Sequence, residues 1–293
     1  MARQLLGYRE WRQRRVRFGF ALATAVVLLL GAGMLLPFAW MFLTSLRPAA
    51  DLFQFPARWL PSVWSIDAWS QALERLPLGR YFFNSVVVSL CVAVGQLALT
   101  APAAYALARL RPSFARLWSL LLAATLMVPM ETLVVPLYLQ LRSFPLGQGG
   151  GINLLDTLAA LILPGLVSAF NVFVLRGFFT RLPSEILDSA RLDGCSEGGV
   201  FLRFVLPLAR PILTVLGIFG FIAAWNAFFW PLVAISDPQR YTLMLGLQKM
   251  LETGEPWNIV MAAVSLATLP TLALFLALQR WISRGLAFSG LYQ

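Results

Sequence analysis

Side chains able to do chemistry are few in this sequence, and the missing types exclude most reactions. There is no histidine, so neither a histidine metal site nor an imidazole acid–base catalyst can be built. Lysine occurs once, at Lys249, preceded by Leu-Gly-Leu-Gln and followed by Met250, which rules out a phosphate-binding loop of the Gly-x-x-x-x-Gly-Lys-Ser/Thr kind. Cys91 lies in an apolar run and Cys195 in a polar one, an arrangement unsuited to a structural disulfide. Acidic and basic side chains are interleaved instead in one long interval, Pro183 to Pro211, PSEILDSARLDGCSEGGVFLRFVLPLARP. Here Glu185, Asp188, Arg191, Asp193, Glu197, Arg203 and Arg210 alternate with Ile186, Leu187, Leu192, Val200, Phe201 and Phe204. Such a pattern suits recognition of another surface, not covalent catalysis.

The local signals in this interval predict two short helices. Pro183 suits a first helical turn, where its missing N–H costs nothing, and Glu185 complements the positive helix end. Ile186, Leu187 and Ala190 make a narrow apolar stripe, and Asp188 can pair with Arg191 at i, i+3. Gly194 is placed to end the helix in a left-handed conformation. Ser196 can cap a second helix whose apolar face is Phe201, Phe204, Val205 and Leu208, with Pro207 and Pro211 bounding its exit. An amphipathic segment of this kind either lies on lipid headgroups or docks a protein.

The spacing within the interval resembles a known signature. Permease subunits of binding-protein-dependent ABC importers carry Glu-Ala-Ala, three residues, Gly, nine residues, Ile, any residue, Leu-Pro. This chain reads Asp188-Ser189-Ala190, three residues, Gly194, nine residues, then Phe204-Val205-Leu206-Pro207. Asp188 stands for Glu, Ser189 for Ala and Phe204 for Ile. Trp225-Asn226 with Trp230-Pro231-Leu232 is similar to the fifth helix of the carbohydrate-type permeases. So are Pro129 with Leu133-Val134-Val135-Pro136-Leu137-Tyr138, Phe170-Asn171-Val172-Phe173, and the ending Gln279-Arg280-Trp281 with Arg284-Gly285-Leu286.

The resemblance implies a second, similar permease, two ATPase subunits and an extracytoplasmic solute-binding protein as partners, with a carbohydrate or polyol as cargo. It assigns ATPase coupling to Glu185, Asp188, Ser189, Ala190, Arg191, Asp193, Gly194, Leu206 and Pro207. No cofactor is expected on this chain. ATP and Mg would sit on the partner subunits, and the chain itself would not be an enzyme.

The elements that must position this interval follow from composition. Hydrophobic residues make up 59% and charged residues 12% of 293 positions, against about a quarter charged in soluble domains. Several apolar runs approach or exceed the roughly twenty residues that span a bilayer, so the fold class is all-α and polytopic. Six transmembrane helices are expected at about 18–46, 82–108, 117–141, 157–175, 212–235 and 259–278. They lie in a domain 18–286, between a basic segment 1–17 and a tail end 287–293. The coupling loop 183–211 falls between helices four and five. Placing both termini inside puts sixteen basic residues in the cytoplasm and seven outside, as the positive-inside rule requires. The net charge of +10 is therefore an orientation signal in a bacterial-type cytoplasmic membrane, with the lipid bilayer as partner and no role for nucleic acid. The loops Arg47–Tyr81 and 236–258 fall outside, and the Gly-rich stretch Arg142–Asp156, with Gly147, Gly149, Gly150 and Gly151, reads as a flexible turn.

Three polar residues inside apolar runs are candidates for the translocation path. Glu131 lies deep within the expected third span, where an ionisable group is expensive unless it faces water or a partner. It either lines the path or accepts a hydrogen bond from another helix. Asn171 and Asn226 carry the same pair of readings. An ion-coupled secondary transporter using Glu131 is the rival function; it predicts an internal repeat, and none is visible. A membrane-embedded enzyme or scaffold would need clustered polar residues or metal ligands, which the sequence does not offer.

Overall fold

The computed structural model describes residues 14–54, 59–75, 77–110, 112–145 and 151–290. Among these the chain is helical, and its contacts divide it into two units. One runs to Glu74 and takes in Glu255–Ser265; the other comprises Arg75–Gly254 and the chain from Leu266 onward.

In the first unit, α1 (Arg14–Ser45) extends the expected 18–46 span by one turn at its start. Its residues from Phe18 to Ser45 are apolar and mostly exposed, the surface a lipid-facing helix needs. Past its end, the Arg47 guanidinium lies 4.9 Å from the centroid of the Trp40 ring. Arg47 also donates from Nη2 to the Trp59 carbonyl, while Asn258 Nδ2 donates to the Arg47 carbonyl at 3.1 Å. The segment expected as an outer loop contains a helix, α2 (Asp67–Arg75). Ala68 and Ala72, at i and i+4, give α2 a buried face too small for a hydropathy window to register.

The second unit is built along α3 (Leu78–Tyr105), which ends in a π-helical turn, Ala106–Leu110, and so outruns the expected 82–108. The expected third span is not one helix. It is α4 (Ala115–Thr125) followed by α5 (Met130–Arg142), bent by 103°. Pro129 is the reason: it caps α5 with extended backbone (φ −67°, ψ 140°) and has no N–H to continue α4. The fourth span comprises α6 (Leu158–Ile162), a 3₁₀ turn at Leu163–Leu166 and α7 (Ala169–Thr180). Pro164 tightens the turn, and Ser168 Oγ accepts the Asn171 N–H at 3.2 Å to start α7.

Two short helical stretches then precede the fifth span: α8 (Ser184–Leu192), and α9 (Glu197–Val200), which passes through a π-helical turn into α10 (Leu206–Leu208). The chain bends by 78° into α11 (Arg210–Trp225), and α12 (Phe229–Ala234) completes the expected 212–235 after a break at Asn226–Phe228. The second expected outer loop holds α13 (Leu243–Glu252), and α14 (Trp257–Gly290) overruns the expected 259–278 at both ends. Among the described residues four helices are long and apolar enough to cross a membrane, or up to six if each bent pair is one span. Of the glycines expected to form a turn, Gly147, Gly149 and Gly150 lie outside the described residues, and Gly151 sits in a bend.

Glycine lets α11 approach α3 closely. A Cβ on Gly220 would fall 2.7 Å from Gln96 Oε1, and one on Gly217 would fall 3.1 Å from a Leu97 methyl. A core cluster gathers Ala101, Ala104, Tyr105 and Ala108 of α3 and its π turn against Val172, Leu175 and Phe179 of α7. A second cluster surrounds Val88 and Val92, where the Trp230 indole N–H donates to the Ala160 carbonyl at 2.9 Å. Near that cluster Asp156 adopts φ +59°, and its carboxylate accepts the backbone N–H groups of Ser236 and Asp237.

Candidate functional site

The α8–α10 segment takes its shape from local chemistry. Pro183 is the N-cap of α8 and not, as expected, part of its first turn; its φ of −56° with ψ 127° directs the chain in before Ser184 begins the helix. At the other end Gly194 has φ +83°. The Cys195 N–H donates to the Ala190 carbonyl and the Gly194 N–H to the Arg191 carbonyl, both at 3.0 Å. These two bonds form a Schellman motif, and its left-handed residue is the glycine. Ser196 Oγ then accepts the Gly199 N–H at 3.3 Å and starts α9.

Burial sorts the α8 residues into two faces. Leu187 and Ala190 are buried against the cluster at the carboxy-terminal end of α3, together with Val200, Val205 and Ala209. Glu185, Asp188, Ser189, Leu192 and Asp193 are exposed. Their positions at i, i+3, i+4, i+7 and i+8 put them on one face. Leu192 is 89% exposed at the tip of that face. Two expectations change. Ile186 is 42% exposed and leaves the inward stripe, because that stripe is only two residues wide. Leu208 is 43% exposed, since the π turn Phe201–Val205 rotates the end of the second stretch and leaves Val205 and Ala209 to be buried. Leu206 and Pro207 are half-buried.

Ionic pairing ties the segment together. Arg191 Nη1 donates to Asp188 Oδ1 at 2.7 Å, the i, i+3 pair expected. Arg191 Nε donates to Glu197 Oε1 at 2.7 Å. Tyr105, buried at the end of α3, donates its hydroxyl to Glu197 Oε2 at 2.9 Å. The hydrogen bond to Glu197 raises the Arg191 pKa, with Asp188 adding to it, so the guanidinium keeps its charge throughout. Arg109, one turn beyond Tyr105, donates Nε to the Phe179 carbonyl at 2.9 Å and Nη2 to the Leu182 carbonyl. It thereby ties the carbonyls at and just past the end of α7 to the end of α3.

The three path candidates are not brought together by any bond between them. Asn171 is buried, and its Nδ2 donates to Gln96 Oε1 at 3.0 Å, while Gln96 Nε2 donates to the Gly165 carbonyl at 3.1 Å. It holds α7 to α3. Glu131 is exposed in the first turn of α5, immediately after the Pro129 break, and does not lie deep inside a continuous span. Asn226 is exposed at the C-cap of α11, where the fifth span breaks. Tyr105, Arg109, Gln96 and Asp156 were not singled out from sequence as site residues. The signal that points to Gln96 is a glutamine in an apolar run; for Arg109 it is an arginine at a helix end.

The family described as "Binding-protein-dependent transport system inner membrane component" matches residues 96–288. The chain belongs to this family.

Relatives extend the match over nearly the whole length. The sn-glycerol-3-phosphate transport system permease protein UgpE of Pectobacterium atrosepticum is 32% identical over 283 residues, covering 93% of this chain and 98% of that protein. The diacetylchitobiose uptake system permease protein DasC of Streptomyces coelicolor is 33% identical over 266 residues, covering 90% and 93%. A chain from the crystal structure of a bacterial ABC transporter involved in the import of the acidic polysaccharide alginate shares the fold, with TM-score 0.77 and 24% identity over 92% of this chain and 98% of that one. This binding-protein-dependent permease is therefore an inner-membrane transport component. The ion-coupled alternative built on Glu131 is set aside by that membership, and the signature from Asp188 to Pro207 lies inside the matched region.

Proposed function

We propose that the exposed face of α8 docks an ATPase subunit, and that the chain imports a carbohydrate or polyol delivered by a solute-binding protein. The observation that carries the docking reading is the sorting of α8. Glu185, Asp188, Ser189, Leu192 and Asp193 face outward while Leu187 and Ala190 fasten the helix inward. A partner cleft would receive a helix with a rigid seat and a mixed acidic and apolar face. Two ATPase subunits would bind ATP and Mg, and a second, similar permease would complete the path. Both termini would then be cytoplasmic, together with the loop 183–211. ATP-driven closure of the ATPase pair would move α8 as a rigid body and tip the permease between its two facing states.

The cargo class rests on relatives named for sn-glycerol-3-phosphate and for diacetylchitobiose, a phosphorylated polyol and an amino-sugar disaccharide. Glu131 and Asn226, exposed beside the two breaks, are the residues available to hydrogen-bond cargo hydroxyls, while Asn171 serves mainly to hold α7. Co-purification from the native membrane tests the docking: an ATPase subunit accompanies the wild type and is lost with Asp188→Arg and with Gly194→Pro. Retention of the ATPase by both correctly inserted variants would refute it.

A further inference from the structure

Movement of a docked α8 has a covalent route into α7 and α11, but none into α3, the helix along which α7 and α11 pack. Tyr105 supplies the polar link. It is the last α-helical residue of α3, it is buried, and its hydroxyl reaches Glu197 Oε2 at 2.9 Å. Glu197 is the first residue of α9 and is held on its other side by Arg191 of α8, which also grips Asp188. One unbroken chain of hydrogen bonds therefore joins α3, α9 and α8. The Tyr105 ring adds a second hold: its centroid is 5.2 Å from that of Phe201, which opens the π turn after α9. Both partners of that contact stand where α-helix gives way to π-helix. Such turns mark places where a helix can change its winding.

We propose that Tyr105 is a positioning residue whose hydroxyl, through Glu197, carries displacement of α8 into the carboxy-terminal end of α3. The inference rests on the docking reading above. Without the bond, α8 and α9 would still pack on α3 through Leu187, Ala190 and Val200, but apolar packing permits sliding that a directed bond to a braced carboxylate does not.

The test uses the complete complex purified from its native membrane, with and without ATP and orthovanadate, and reads amide hydrogen exchange. In the wild type, nucleotide trapping changes exchange both in residues 184–208 and in residues 100–110. Tyr105→Phe keeps the ring and removes the hydroxyl. It is expected to retain the ATPase and the response of 184–208, and to reduce the response of 100–110 by about fivefold. Glu197→Ala removes the same bond from an exposed position, and decides the matter if Tyr105→Phe does not insert. The double variant should lose no more than either single one. An unchanged response at 100–110 in either variant, or additive losses in the double, would overturn the inference. A wild-type complex without an ATPase would instead refute the docking reading, and this inference with it. A merely structural role for Tyr105 would raise exchange at 100–110 equally in both nucleotide states, which also counts against the proposal.

Discussion

At the amino-terminal end of α3, Asn84 Nδ2 donates to the carbonyls of Gln239 and Tyr241 at 3.1 and 3.0 Å, and Ser85 Oγ accepts the Leu243 N–H at 2.7 Å. At the carboxy-terminal end, Tyr105 reaches a carboxylate that is itself shared with Arg191. The first set joins buried side chains to backbone atoms, so one partner of each bond is held in place by the polypeptide. The second runs through partly exposed side chains that can change partners without unfolding anything. Leaving a buried polar group unpaired costs about 1–3 kcal/mol, whereas an exposed ion pair contributes about 0–1 kcal/mol. One end of α3 is anchored; the other, held to α7 by Arg109, adds this exchangeable link to α8 and α9.

Three measurements bear on that contrast. The largest loss is expected from Gly246→Val at the anchored end, where a Cβ would fall 2.3 Å from the Tyr81 ring. The overpacking should lower denaturation stability in detergent by roughly 3 kcal/mol. Asn84→Ala leaves two carbonyls unpaired and should cost about 1–2 kcal/mol in the same assay. Arg191→Met at the connected end, which removes the exposed ion pairs and leaves the Tyr105–Glu197 bond, should cost at most about 1 kcal/mol. That small cost should vanish near 1 M salt, where the Debye length falls to about 3 Å. Equal costs for Asn84→Ala and Arg191→Met, or a salt response at Asn84, would erase the distinction between the two ends.

How much of this was legible in the sequence depended on range. The Asp188–Arg191 pair, the Gly194 stop and the Ser196 cap are local, and all three are present in the structure. Apolar runs pointed to helices, four of which among the described residues are long and apolar enough to span, but not to where the others break. Pro129 and Pro164 were visible inside predicted helices, yet only the fold shows that the first turns the chain by 103° and the second tightens one turn. Glu131 was misplaced for the same reason: a continuous third helix would have carried it deep, and the break brings it to an exposed first turn. The helix α2 escaped because its buried face is two alanines in a polar sequence, and α13 because ten residues, although apolar, are too few to register as a span. Tyr105–Glu197 and Arg109–Phe179 join residues 92 and 70 positions apart, and no window along the chain registers such pairs.

Arg109 also sets an order of events during synthesis. Its guanidinium takes carbonyls at Phe179, Thr180 and Leu182. A nascent chain that has released α3 therefore carries this cation without its acceptors until some seventy further residues have left the ribosome. In that interval the guanidinium has only water or lipid headgroups to bond. Only the arrival of α7 converts it into a structural clamp. The end of α3 that later receives α8 is thus completed late, after the helix itself has already been threaded.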